Sequence, residues 1–167
     1  MKTLVLCRHA KSDWPEGVQD IRRPLKKRGI RDAHYLGEIL ASQEFYPDLI
    51  VTSPATRAYS TARIISSQVG YSEADMKVED SIYYEGAGQM LSYVQDIPDH
   101  VNTVMIFGHN PTIENAVRHL LQMGSAFSMP TSAMACMESY VNQWAQFDPR
   151  NTYLRWLLIP RLIRKEG

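Results

Sequence analysis

Cysteine is scarce in this chain, with only Cys7 and Cys136 among 167 residues. Two thiols make no disulfide framework, and their scarcity suits a reducing compartment. Net charge is absent as well: 18 basic residues balance 18 acidic ones. That balance argues against a broad nucleic-acid or membrane surface. The basic cluster is taken to be Arg161, Arg164 and Lys165 near the end, which reads as a solvated tail. No run approaches the roughly 18 apolar residues that a membrane-spanning helix needs. Met1-Lys2-Thr3 opens straight into a strand pattern with no apolar segment of a signal peptide. The expected protein is soluble and cytoplasmic. No His-Glu-x-x-His, paired Cys-x-x-Cys or Gly-rich Lys-Ser/Thr loop is present, so zinc and nucleoside-triphosphate chemistry lack support. A cysteine-phosphatase loop needs Cys, five residues and then Arg; counted from Cys7 that place holds Asp13, which removes the reading.

What is present is ordinary globular composition, with 44% apolar and 22% charged residues. The length fits one domain. Apolar runs at residues 3–7, 49–52 and 103–107 predict strands, with a short strand at 76–78. Between them, helical stripes run through Ile30, Ala33, Leu36 and Leu40, then through Ala58, Ala62, Ile65 and Val69. Pro24 is expected in the first turn of the first helix, Ser53 as the N-cap of the second and Pro54 as its first residue. Gly70 reads as a stop. A weaker helix is expected over 86–96. Another is expected from Asn110-Pro111-Thr112 to Gly124. Residues 125–133 read as a polar loop, and 137–141 and 153–159 as late strands. Such alternation predicts an α/β fold with a mostly parallel central sheet and helices on both faces.

Three of these strands end in the same way. Leu4-Val5-Leu6-Cys7 stops at Arg8-His9, Ile50-Val51-Thr52-Ser53 leads to Arg57, and Val104-Met105-Ile106-Phe107-Gly108 leads to His109. In open α/β sheets ligands bind at the carboxyl ends of the strands. Two arginines and two histidines delivered there suit a phosphoryl group. A guanidinium fork bonds two phosphoryl oxygens at once and stays charged. Arg57, in the first turn of a helix, adds free N–H groups and a favourable dipole. An imidazole is mostly neutral at pH 7, and a positive pocket keeps its lone pair free for in-line attack. His9 is read as the nucleophile because it sits beside Arg8, with His109 supporting, although the residues alone leave the reverse assignment open. Cys7 should point away from Arg8, because side chains alternate along a strand. His34, His100 and His119 read as helix-surface or loop residues.

Arg8-His9-Ala10, Ser53-Pro54-Ala55-Thr56-Arg57-Ala58 with Thr61-Ala62, and Gly108-His109-Asn110-Pro111 together resemble the signature of the histidine phosphatase, or phosphoglycerate-mutase-like, superfamily. Gly-His-Asn-Pro, the Arg23-Pro24-Leu25 segment with Gly29, and the small size resemble its SixA branch of phosphohistidine phosphatases. The resemblance covers about residues 3–125. It implies a histidine phosphatase domain over residues 1–167, a phosphoryl group bound by Arg8, Arg57 and His109, and covalent transfer to His9. It implies no metal and no organic cofactor, so none is expected. Ala10 departs from the glycine common elsewhere in the superfamily. Larger members carry an acidic residue between the second and fourth strands. Here that segment, residues 71–102, is short, and Glu85 is the best-placed candidate general acid. A short insertion leaves the site open, which favours a phosphorylated side chain on a protein substrate. A small phosphomonoester or sugar phosphate in the same site is the alternative, and a non-catalytic phosphate-recognition module is the alternative of another class. Neither nucleic acid nor membrane is expected as a partner, and the chain is expected to be a monomer.

Overall fold

The computed structural model describes residues 1–163. Arg164 and Lys165, two of the three basic residues read from the tail, lie outside the described residues. Six strands form one sheet: β1 (Lys2–Arg8), β2 (Leu49–Thr52), β3 (Lys77–Val78), β4 (Thr103–Gly108), β5 (Met134–Ser139) and β6 (Thr152–Leu158). Their order is β3-β2-β4-β1-β5-β6, and only β5 runs against the others. The helices are α1 (Lys27–Ser42), α2 (Thr56–Gln68), α3 (Ser81–Tyr84), α4 (Ala87–Gln95), α5 (Thr112–Leu120) and α6 (Pro160–Ile163). The fold class expected from the sequence is the one observed.

Alternation along β1 divides the core between the two faces of the sheet. Leu4 and Leu6 pack with Val104 and Ile106 against Met90 and Val94 of α4 and Ile113, Ala116 and Val117 of α5. Val5 and Cys7 pack with Ile50, Met105 and Phe107 against Ala33 and Leu36 of α1 and Ala62 and Ile65 of α2. Strands buried on both faces read as continuous apolar runs rather than alternating ones. Each fully buried Leu or Phe contributes about 2 kcal/mol of transfer free energy. Arg8, next in the alternation, leaves the strand on the side of Leu4 and Leu6.

Several element boundaries differ from expectation, each for a visible reason. α1 begins at Lys27, not at Pro24, because residues 24–26 are spent on the strand end. The Asp13 N–H donates to the Pro24 carbonyl at 2.8 Å, Leu25 bridges Ser12, and the Lys26 N–H donates to the Lys11 carbonyl at 2.9 Å. Ile30 is exposed, and the buried stripe of α1 takes in Gly29 and Asp32 instead. Gly29 is required for space: a Cβ there would overlap the Lys11 carbonyl. α2 starts at Thr56 with Ala55 as its N-cap, not with Ser53. α5 stops at Leu120, before Gly124. β5 lies earlier than expected, over residues 134–139, because Met134-Ala135-Cys136 fills a central strand buried on both sides. Short α6, packed on α1, had no signal.

Candidate active site

β1 and β4 are parallel neighbours, with Arg8 opposite Gly108. The His9 N–H donates to the Gly108 carbonyl at 2.9 Å, which sets His9 beside His109, the residue following Gly108. The two imidazole centres are 5.2 Å apart. Arg57, the second residue of α2, enters from the neighbouring strand end. The structure therefore brings Arg8, His9, Arg57 and His109 together in one cup of about 240 Å³, which Lys11, Ser12, Arg23, Asn110 and Thr131 also line. Glu85 does not line it. It is exposed, at the end of α3, and its carbonyl accepts the Thr112 hydroxyl at 3.3 Å.

The two histidines use opposite ring nitrogens. His9 Nδ1 lies 2.8 Å from the Ala10 carbonyl. A carbonyl only accepts, so Nδ1 carries the proton and Nε2 holds the lone pair. His109 Nε2 meets the Ser53 hydroxyl at 2.7 Å, and its buried Nδ1 has no partner among the described residues. Ser53 Oγ also accepts the Ala55 N–H at 3.2 Å. Its hydroxyl thus serves His109 as well as the turn into α2. Burial first, and then the charges of His109, Arg57 and Arg8, push the His9 imidazole down to about 3, against an opposing pull from the bond to the Ala10 carbonyl. Burial and Arg57 push His109 down to about 4, against an opposing pull from Asp20. Both rings are therefore neutral at pH 7.

Arg8 Nη1 donates to the Met129 carbonyl at 2.9 Å, and Asn110 Nδ2 donates to the same oxygen at 3.0 Å. Glu114 fixes that loop by accepting the Met129 N–H at 2.8 Å. The loop before β5, read from sequence as merely polar, is what seats Arg8. Arg57 Nη1 donates to the Asp20 carbonyl at 2.7 Å and Nη2 to its carboxylate at 3.1 Å. Tyr83 donates to that carboxylate at 2.8 Å, and its ring stands edge-on to His109 at 5.5 Å. Burial would raise the Asp20 carboxyl, but the hydrogen bonds from Tyr83, Arg23 and Arg57 outweigh it and hold it at about 2. Asp20, Tyr83, Arg23 and the second duty of Ser53 were missed in the sequence. The signals available were the polar, Pro- and Gly-containing stretch at 11–23 that follows the first strand and, for Arg23, its place in the Arg23-Pro24-Leu25 segment of the resemblance.

Buried polar groups in native proteins are almost always paired. Among the described residues, five buried side-chain polar atoms find no partner. Four of them, Arg8 Nε, Arg57 Nε, His109 Nδ1 and Asn110 Oδ1, belong to residues lining the cup. Three donors or donor-capable groups around a positive cup describe an anion site. The family model of the histidine phosphatase superfamily (branch 1) matches residues 4–82, which carry Arg8, His9 and Arg57. An uncharacterized chloroplastic protein of Arabidopsis thaliana is 34% identical over 155 residues, spanning 87% of this chain and 70% of that protein. A crystal structure from Agrobacterium tumefaciens, of a protein named by assignment as the phosphohistidine phosphatase SixA, superposes with a TM-score of 0.80 at 26% identity, covering 95% of this chain and 98% of that one. The chain belongs to the histidine phosphatase superfamily, in its SixA-type branch. It is a phosphatase, which removes the reading as a pure binding module. Phosphoglycerate mutase 1 of Saccharomyces cerevisiae is similar only locally, 39% over 69 residues, or 38% of this chain and 27% of the mutase.

The remaining histidines of this superfamily member lie away from the cup. His34, His100 and His119 are exposed, and His34 meets Gln68 at 3.3 Å. Cys7 is fully buried on the far face, and burial raises its thiol well above the usual range. It is core. Among the described residues, no helix is long and apolar enough to cross a membrane.

Proposed function

We propose that the protein is a protein phosphohistidine phosphatase that works through phospho-His9. The observation that carries this reading is the fixed tautomer of His9: Nδ1 is held by the Ala10 carbonyl, which leaves the Nε2 lone pair in a cup of cations. Nε2 attacks phosphorus in line, and the bond from phosphorus to the substrate's imidazole nitrogen breaks. Arg8, Arg57 and His109 Nδ1–H hold the three equatorial oxygens as charge develops. The departing imidazole, already protonated on its ring, leaves as a neutral molecule. Water then attacks phospho-His9, releases inorganic phosphate and restores the free imidazole. Apart from the proton on the substrate's own ring, every positive charge that the step uses comes from the protein, so the reading routes nothing through a metal or an organic cofactor.

The substrate reading is supported by the shortness of residues 71–102, in which only α3 and α4 lie between β3 and β4, and by the SixA relative. An open cup accepts a side chain on another protein. Glu85 remains our candidate for delivering a proton from the rim. Asp20 is nearer, but its low pKa keeps it ionised, so it has no proton to give near neutral pH. The test compares phosphate release from a phosphohistidine protein with release from a panel of phosphomonoesters and sugar phosphates. It also traps acid-labile label on the enzyme. We expect the phosphohistidine substrate to be preferred, label only when His9 is present, and turnover insensitive to a chelator. Full activity in His9→Ala, or a preference for sugar phosphates, would overturn the reading.

A further inference from the structure

Six of the 18 basic residues fall within positions 22–31: Arg22, Arg23, Lys26, Lys27, Arg28 and Arg31, with no acid among them. This run, not the tail, is the basic cluster of the chain. Its placement works against the helix it opens. Lys27 and Arg28 start α1, at the positive end of its dipole, and the first turn holds no acidic residue. Lys27 and Arg31 are like charges four residues apart, which also opposes the helix. Arg22, Lys27 and Arg31 are exposed and make no ion pair among the described residues, whereas Lys26, Arg28 and Arg23 have Asp13, Asp32 and Asp20 as partners.

The run borders the cup. α1 leaves from the carboxyl edge of β1, and the Lys26 N–H is bonded to the carbonyl of Lys11, a residue lining the cup. Inside, Arg57 is 6% exposed and its Nε lacks a partner. On the same lip Trp14 is 59% exposed and lies 4.3 Å from the Arg23 guanidinium. Across the mouth Tyr84 is 68% exposed and packs edge-on to Tyr83.

Resting on the phosphatase reading above, we infer that this lip docks an acidic protein surface, so that the phosphorylated side chain entering the cup is flanked by Asp and Glu. A chain with no net charge has gathered six of its cations into one run beside the mouth, which is charge complementarity for a polyanion. Lys27 and Arg31 stand on the exposed start of α1 and do not line the cup, so they suit a ligand larger than the group inside it. The exposed indole against Arg23, and the exposed phenol of Tyr84, are residue types enriched at protein interfaces.

The test uses p-nitrophenyl phosphate turnover at low salt, with two unphosphorylated peptides as competitors: one with Asp and Glu around a central histidine, the other matched with Asn and Gln. The acidic peptide should inhibit about tenfold more tightly, and the difference should vanish in roughly 0.5 M salt. In the double variant Lys27→Glu, Arg31→Glu, whose changed residues do not line the cup, basal turnover should hold while the difference falls to within about twofold. Equal inhibition by the two peptides, or a difference that survives the double variant, overturns the inference. Stronger competition by inorganic triphosphate than by the acidic peptide, relieved by the same variant, also overturns it in favour of a small polyanion. Because no arm requires phosphohistidine turnover, failure of that substrate reading would show separately, as absence of phosphate release from the phosphohistidine protein.

Discussion

His9 and His109 reach the floor of the cup from strand ends whose backbones are locked into the sheet, whereas Asp20 and Arg23 reach its wall from a loop held largely by side chains. The floor is anchored by the backbone bond from His9 to Gly108 and by the buried Ser53 hydroxyl. The wall is anchored by ion pairs of Asp20 with Arg57 and Arg23, on a carboxylate side chain that is 40% exposed. Backbone ladders in a dry core are insensitive to salt and pH, while partly exposed ion pairs are screened. The floor should therefore set the chemistry, and the wall should tune how anions enter.

Changes to the floor should be the most damaging. Arg57→Ala removes a fork that joins floor to wall, and kcat/KM should fall about a thousandfold with the fold retained. Steady-state kinetics and circular dichroism check both halves of that statement. Ser53→Ala releases His109 Nε2 and lets the ring choose its tautomer. A loss of about 10–100-fold, chiefly in kcat, is expected, as for other groups that orient a catalytic residue. An unchanged kcat would mean that His109 is fixed without the hydroxyl.

Asp20→Asn tests the wall alone. The amide oxygen can still accept from Arg57 and Tyr83, but the negative charge that repels an incoming phosphoryl group is gone. Inorganic phosphate should inhibit about threefold more tightly, with kcat changed less than about twofold. A large drop in kcat would move Asp20 into the floor's role. The smallest effect is on stability against pH. His9 and His109 have folded pKa values of about 3 and about 4, below the unfolded value near 6.5. Between those limits the unfolded chain binds more protons, so stability should decline as pH falls from about 6.5 toward 4. Denaturant midpoints across that range should shift less in a His9→Gln, His109→Gln double variant.

The same division explains what could be read in advance. Arg8, His9, Arg57 and His109 were legible because each ends an apolar strand or opens the next helix, where periodicity breaks in a recognisable place. The mostly parallel sheet with helices on both faces followed from the same runs, whereas the order of the strands did not. Asp20 was not legible, since several acidic residues occur in and around the loop and nothing local says which one meets Arg57. Ser53 looked like a helix cap because the residue type is the same for both duties. β5 was placed too late because a central strand beginning Met134-Ala135-Cys136 has no alternation to mark its start.

The position of Trp14 has one practical outcome. Its indole stands against Arg23, which also reaches Ser12 at 2.8 Å and lines the cup, while Trp144 is sealed in the core and Trp156 lies on the outermost strand. An anion that draws Arg23 inward changes the surroundings of a single fluorophore. The enzyme thus carries its own optical gauge of occupancy, readable without any label.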